Sequence, residues 1–309
     1  MTLKEEKLFC CVCKKLNVYE TVTDFSPSVQ HDLDGRPHGE ERYALTKSIQ
    51  VCPYCRYANF SVDTEIEGFD AEKVVHSGEF LERAKKVSGA KKFILSAYLY
   101  EKARDFITAG YLYMNAAWTF DDENAKNSRT TSKLHEKSQD SNEETKNSHI
   151  SARTFDDKID RERLKSIEVT NENQNLNEKH SQSVHSKDFK GENDGDCAKY
   201  FRIKAAECFA KGGFSEDTAA AHCDCLRRTG DFKAARTFAK KALKILRPEG
   251  ELHDSLKIEI DLCRKKDDSC KVFVPRKKGF FGFFRGKKKY SAVFSAKIRL
   301  FLLLKSLFL

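Results

Sequence analysis

Two Cys-x-x-Cys pairs constrain this chain more than any other feature: Cys10-Cys11-Val12-Cys13 and Cys52-Pro53-Tyr54-Cys55. Two residues between thiols let both sulfurs face one ion from a tight turn, and two such turns complete a tetrahedral S₄ site. The spacing predicts a structural zinc ion held by Cys10, Cys13, Cys52 and Cys55. With all four positions filled by protein, no coordination position is left for water, which points away from zinc hydrolysis. The 38 residues from Lys14 to Val51 exceed the common ribbon spacing. Loop closure costs rise only slowly with length, so the longer excursion is compatible with the site.

The other cysteine chemistry is weaker. Cys52-Pro53-Tyr54-Cys55 is also the dithiol motif of glutaredoxins, where it opens a helix. Here Arg56-Tyr57-Ala58-Asn59-Phe60-Ser61-Val62 follows, which alternates like a strand or loop and lacks a helix N-cap. A thiol oxidoreductase using Cys52 and Cys55 is the enzyme alternative, but it leaves Cys10 and Cys13 without a role. Cys11 reads as a bystander beside the ligands. Cys197, Cys208, Cys223, Cys225, Cys263 and Cys270 fall mostly on helical patterns. In His222-Cys223-Asp224-Cys225, adjacent residues would point to different sides of a helix, so buried thiols are expected there rather than a metal site. His31, Asp32, Asp34 and His38 are ligand-type residues on a loop with Gly35, Pro37 and Gly39, where turn formation is the favoured role. Met1 to Lys7 has no apolar h-region, so reduced thiols and a cytoplasmic location are expected.

Along the chain the composition changes four times. Residues 1–69 hold Pro27, Pro37 and Pro53, and the runs Asn17–Val22 and Ser48–Val51 read as strands flanking a loop. No proline then appears until Pro248, which suits helices. In residues 70–120, Phe93, Ala97, Tyr100 and Ala103 form one apolar stripe, and Ala109, Leu112, Ala116 and Phe120 a second. Arg104-Asp105 and Gly110 lie between them, where a helix–helix turn is expected. Residues 121–196 hold no Cys, Pro, Tyr or Trp, and are crowded with Asn, Ser, Lys and Glu. Such a segment cannot bury enough apolar area to offset its conformational entropy and reads as a disordered insertion. Helical spacing resumes over 197–270, first at Tyr200, Phe201, Ala205 and Phe209. It continues at Leu226, Gly230, Phe232, Ala235, Phe238, Ala242 and Leu243 before Pro248. That last run resembles the second half of a tetratricopeptide repeat. One such repeat cannot bury its own apolar face, so Glu251 to Lys266 is expected to stack on it through Leu252, Leu256, Ile260 and Cys263.

The formal charge of +9 belongs to the end of the chain. Residues 271–309 carry eleven Lys or Arg and no acid, leaving 45 cations against 47 acids and a sum of −2 for the rest. Lysines and arginines there interleave with Phe280, Phe281, Phe283 and Phe284. An anionic membrane surface is one expectation for this tail, an unstructured solubility or packing tail is an equal one, and nucleic acid is the competing partner. Lys297, Arg299 and Lys305 interrupt the final apolar run, which is too short to span a bilayer.

The N-terminal CxxC, Asp32-Leu33-Asp34-Gly35-Arg36-Pro37 and Val51-Cys52-Pro53-Tyr54-Cys55-Arg56-Tyr57-Ala58 together resemble an uncharacterised, mainly bacterial family. Ala116-Ala117-Trp118 to Asp122 is similar to the helical body of that family. The resemblance covers roughly 1–120 and 197–265. It implies a zinc-ribbon-like head before tetratricopeptide-like helices, with Cys10, Cys13, Cys52 and Cys55 as ligands and no established activity. Such knuckles usually place Gly after the second Cys, where Lys14 and Arg56 stand here. A positive φ at either would cost about 1 kcal/mol.

The expected fold is mainly α: a small β zinc-ribbon head, then about six helices in antiparallel hairpins. The expected function is a zinc-stabilised scaffold that binds a protein or peptide on its helical face, with no small-molecule substrate evident. A nucleic-acid-binding zinc ribbon assisted by the tail is a further alternative. No Gly-rich phosphate loop, HExxH or GxSxG motif supports another chemistry.

Overall fold

The computed structural model describes residues 1–85, 89–140 and 194–274. The fold is mainly helical, with a small antiparallel hairpin at the N-terminus. Two strands form that hairpin: β1 (Thr2–Phe9) and β2 (Leu16–Asp24), paired from Phe9↔Leu16 back to Thr2↔Asp24. A second antiparallel pair, β3 (Gln50–Val51) and β4 (Ala58–Asn59), is only two residues long on each side. The runs 17–22 and 48–51 therefore both contain strand. They do not pair with each other: each closes a separate two-stranded sheet.

Between the sheets lies α1 (Glu40–Thr46), and two more short helices follow, α2 (Ala71–Val75) and α3 (Gly78–Arg83). Long helices then succeed one another: α4 (Lys91–Lys102), α5 (Phe106–Asp140), α6 (Asp194–Gly212), α7 (Glu216–Arg228), α8 (Phe232–Ile245) and α9 (Glu251–Lys265). Among the described residues six long helices follow the head, against about six helices expected; the short α1 to α3 were not foreseen, because five to seven residues show too little periodicity.

The break between α4 and α5 falls at Arg104, which adopts φ 64°, and Asp105 caps α5 by accepting from the Thr108 N–H at 3.0 Å. Gly110 is not in the turn. It lies inside α5, where an added Cβ would come within 2.6 Å of the Phe209 ring, so the missing side chain lets α5 and α6 approach. Tyr111 and Phe209 meet edge to face at 5.2 Å, and Phe120 stacks on Phe201 at 5.7 Å. Helix α5 runs on past Phe120, so Asp121 to Asp140 are helical rather than the start of a disordered insertion. The rest of the expected insertion, residues 141–193, lies outside the described residues.

The chain divides into two units, one of residues 1–124 with 193 onward, the other of residues 125–192. In the first unit one buried core runs from Cys10, Tyr19, Ile49 and Tyr57 in the head through Phe93, Leu112 and Trp118 to Phe209 in α6. Head and helices thus share one apolar interior. A second cluster forms where α7, α8 and α9 meet, around Cys223, Ala235, Ala239, Leu256 and Ile260. Ala235 is fully buried there, and the Cys223 thiol donates to its carbonyl at 3.5 Å. Phe232 is only half-buried, so it wedges the helices less than the repeat-like spacing suggested. In the second unit the described residues continue α5 to Asp140.

The boundary expected at 271 also moves. Leu33 N–H donates to the Lys271 carbonyl at 2.9 Å, Phe273 N–H donates to the His31 carbonyl at 2.8 Å, and Asp32 bridges Val272. Residues 271–273 are therefore tied to the 31–37 loop. The basic-aromatic tail, residues 275–309, lies outside the described residues.

Candidate metal centre

Two turns of the same design bring the four cysteines together. In the first, between β1 and β2, the Lys14 N–H donates to the Cys10 carbonyl at 2.9 Å and the Cys10 N–H to the Lys15 carbonyl at 3.0 Å. In the second, between β3 and β4, the Arg56 N–H donates to Cys52 at 3.0 Å and the Cys52 N–H to Tyr57 at 2.8 Å. Each turn closes on a left-handed residue: Lys14 at φ 58° and Arg56 at φ 64°. These are the positions at which glycine is expected, and L-residues are strained there. Replacing Lys14 with Gly should accordingly raise stability by about 1 kcal/mol, read as a higher midpoint in denaturant unfolding. A lowered midpoint would show that the Lys14 ammonium, which donates to the Cys11 carbonyl at 2.6 Å, outweighs the strain.

The four sulfurs lie within 4.8 Å of one another, so the cluster can hold a metal ion. Cys10 Sγ is 3.6 Å from Cys55 Sγ, and Cys13 Sγ is 3.5 Å from Cys52 Sγ. A disulfide would need about 2.05 Å. A tetrahedron with zinc–sulfur bonds of about 2.3 Å has sulfur–sulfur edges of about 3.8 Å, close to both distances. Cys10 and Cys52 are fully buried and Cys55 nearly so. Burial pushes the Cys10 thiol up to about 11 and the Cys55 thiol well above its ordinary value. At Cys52 burial acts in the same sense, but hydrogen bonds from the Cys55 and Tyr54 N–H groups outweigh it and bring the thiol down. Four ionised sulfurs at this spacing need a cation to balance them.

The surrounding shell fixes the second turn. Gln50 Oε1 accepts from the Val62 N–H at 3.1 Å. Tyr57 donates to the Thr64 carbonyl at 2.8 Å, Asn59 Nδ2 donates to the same carbonyl at 2.9 Å, and Tyr100 of α4 donates to Asn59 Oδ1 at 2.8 Å. Cys11 stands outside the cluster, its thiol donating to the Thr64 carbonyl. The Cys52–Cys55 pair lies in a strand–turn–strand unit, and the next helix after it begins only at Ala71.

The other ligand-type residues serve packing. His222 rests 4.4 Å from the Phe238 ring, and Cys223 and Cys225 are buried in α7. In the 31–38 loop, Asp32 Oδ1 pairs with His38 Nε2 at 2.7 Å. Asp34 accepts from Trp118 Nε1 at 2.6 Å and from the Arg36 N–H at 3.1 Å. Arg36 donates to the Trp118 carbonyl at 2.7 Å and to Asp122 at 2.6 Å. Arg42 also pairs with Asp122, while Arg202 and Arg228 pair with Asp121. This ion network is the largest feature that sequence reasoning missed. Its members are scattered over nearly two hundred residues, so no spacing announces them. Burial, then Asp224, lifts Asp34 to about 6.

The model of a family described as "Uncharacterized protein conserved in bacteria (DUF2225)" matches residues 3–174, more than half of the chain. The resemblance read over 197–265 lies beyond the matched residues. No curated protein and no solved structure matches the chain.

Proposed function

The chain belongs to this conserved bacterial family, and from that premise we propose that it is a zinc-pinned helical scaffold for a protein or peptide partner. The observation that carries the zinc assignment is the pair of matching knuckles, whose four sulfurs lie within 4.8 Å of one another, with two of the spacings, 3.6 and 3.5 Å, near the edge of a zinc tetrathiolate. Cys10, Cys13, Cys52 and Cys55 would hold the ion, whose role is to fix the head against α4 and α5. The reading continues with α6 to α9 as tetratricopeptide-like hairpins. In its support, α7 packs on α6, α8 and α9, and Gly230 at φ 90° turns the chain between α7 and α8. Ile203 and Ile245 are exposed apolar side chains on that body and are the first candidates for partner contact. The tail is proposed as an anionic-surface contact, on composition alone. Among the described residues no helix is long and apolar enough to cross a membrane.

Metal analysis tests the first half of this reading. The wild-type chain should carry near one equivalent of zinc, and Cys52→Ser should lose most of it. Equal zinc in both would remove the assignment, and reduction of a disulfide substrate by the metal-free chain would favour the oxidoreductase instead. For the second half, Ile245→Asp should weaken capture of a protein partner without changing zinc content or melting.

A further inference from the structure

A cleft of about 410 Å³ opens between β2 and β3, beside the second knuckle. Its apolar lining comes from Val18, Tyr19, Ile49, Val51 and Pro53, and its charged groups are Glu20, Lys47, Arg56 and Lys92. Lys47 and Glu20 neutralise each other at 2.7 Å. The other two cations have no carboxylate partner among the described residues. Lys92, in the first turn of α4, donates to the Thr46 carbonyl and sits 5.5 Å from the Phe93 ring. Arg56 is exposed and held at φ 64°, where a glycine would relieve the backbone.

We propose that this cleft binds a small organic phosphate, its phosphate group neutralised by Lys92 and Arg56 and its organic body lying against Val18, Ile49 and Pro53. Charge stoichiometry selects the ligand class. The cleft carries two uncompensated positive charges, and a phosphate monoester carries about −1.5 to −2 at neutral pH. A monocarboxylate would leave one cation unmatched. Lys92 is half-buried and its ammonium donates only to a carbonyl, which leaves its charge open to an anion. Burial, then Lys47, holds the Lys92 ammonium down to about 8, so an anion beside it would restore the charged form. The left-handed backbone at Arg56 belongs to the knuckle turn, as at Lys14, and it sets the guanidinium on the rim of the cleft. The apolar lining accounts for an ester rather than the free ion. The sequence showed no small-molecule motif because the four charged residues come from separate segments. The inference does not depend on the scaffold reading, since both cations stand whatever the helical body binds.

Titration calorimetry of the intact chain with phenyl phosphate tests it, with inorganic phosphate and benzoate as comparison ligands. Phenyl phosphate should bind, more tightly than inorganic phosphate and much more tightly than benzoate. Lys92→Met should weaken binding about tenfold or more, the effect of losing one charge-assisted contact. Arg56→Gly is the sharper variant, because it relieves backbone strain. It should keep its zinc and melt no lower, yet lose affinity to a similar degree. Absence of phenyl phosphate binding to the wild type would overturn the proposal. So would unchanged affinity in both variants, or binding of an RNA oligonucleotide where phenyl phosphate fails.

Discussion

Removing the metal should unfold the head and soften the helices beneath it. Zinc-finger peptides gain about 10–16 kcal/mol from zinc at neutral pH, which matches or exceeds the whole stability of an ordinary domain at about 5–15 kcal/mol. The head has little else to replace it. Its second sheet is two residues a side, and its first hairpin exposes Phe9, Leu16 and Val18. Without a cation, four thiols must share one buried space, three of them almost wholly withdrawn from water. Because Cys10, Tyr19 and Tyr57 share a core with Phe93 and Leu112, the loss should spread into α4 and α5. Chelation should therefore lower the melting temperature and expose head amides to hydrogen exchange, with α8 and α9 affected last. Cys52→Ser should reproduce this without chelator. A metal-free chain that melts where the zinc-loaded chain does would show that the cluster is not structural.

The second large effect is expected at Arg227, whose side chain is 0 % exposed. It donates to Glu259 at 2.8 Å, to Asp224, and to the carbonyls of Asp267 and Ser269 at 2.7 and 2.8 Å. One buried cation thus serves two buried carboxylates and the end of α9. Arg227→Leu would leave the Asp224 carboxylate uncompensated and strip the Glu259 carboxyl and two carbonyls of their donor, and should cost about 3–5 kcal/mol in denaturant unfolding. The harm should extend to the 31–37 loop, because the strand of chain just after Ser269 pairs with it. Glu259→Gln is the informative companion. Burial, then Asp224, holds the Glu259 carboxyl well above its ordinary value, and its Oε1 has no hydrogen-bond partner. A raised folded pKa means a contribution to stability that is complete below about pH 4 and lost as pH rises through the folded value. Glu259→Gln keeps the neutral form at every pH, so it should stay within about 1 kcal/mol of the wild type at acid pH and flatten the pH profile. Unchanged unfolding of Arg227→Leu would show that the pairing contributes nothing net.

The four-cysteine cluster and the long helices were legible in the sequence because each depends on local spacing. Cys-x-x-Cys places two sulfurs on one turn whatever surrounds it, and residues at i, i+3 and i+4 share a helix face before any partner is chosen. The left-handed backbone at Lys14 and Arg56 was legible for the same reason, as a property of the turn itself. Boundaries that depend on distant partners were not. Asp121 and Asp122 look like the first residues of a polar insertion, and only Arg36, Arg42, Arg202 and Arg228 converging on them show why α5 continues. Lys271 looks like the first residue of a basic tail, and only its pairing with Leu33 places it in the fold.

By itself, then, the sequence determined a four-thiol head followed by amphipathic helices, since turns and helix faces are set within a few residues. The tertiary structure alone decided that head and body share one core, that four arginines and three aspartates join the 31–38 loop to α5, and that Lys92 and Arg56 line one cleft. Each of these joins residues tens to hundreds of positions apart. A charge carries no mark of its partner along the chain, because Coulomb attraction and burial act on distance in space.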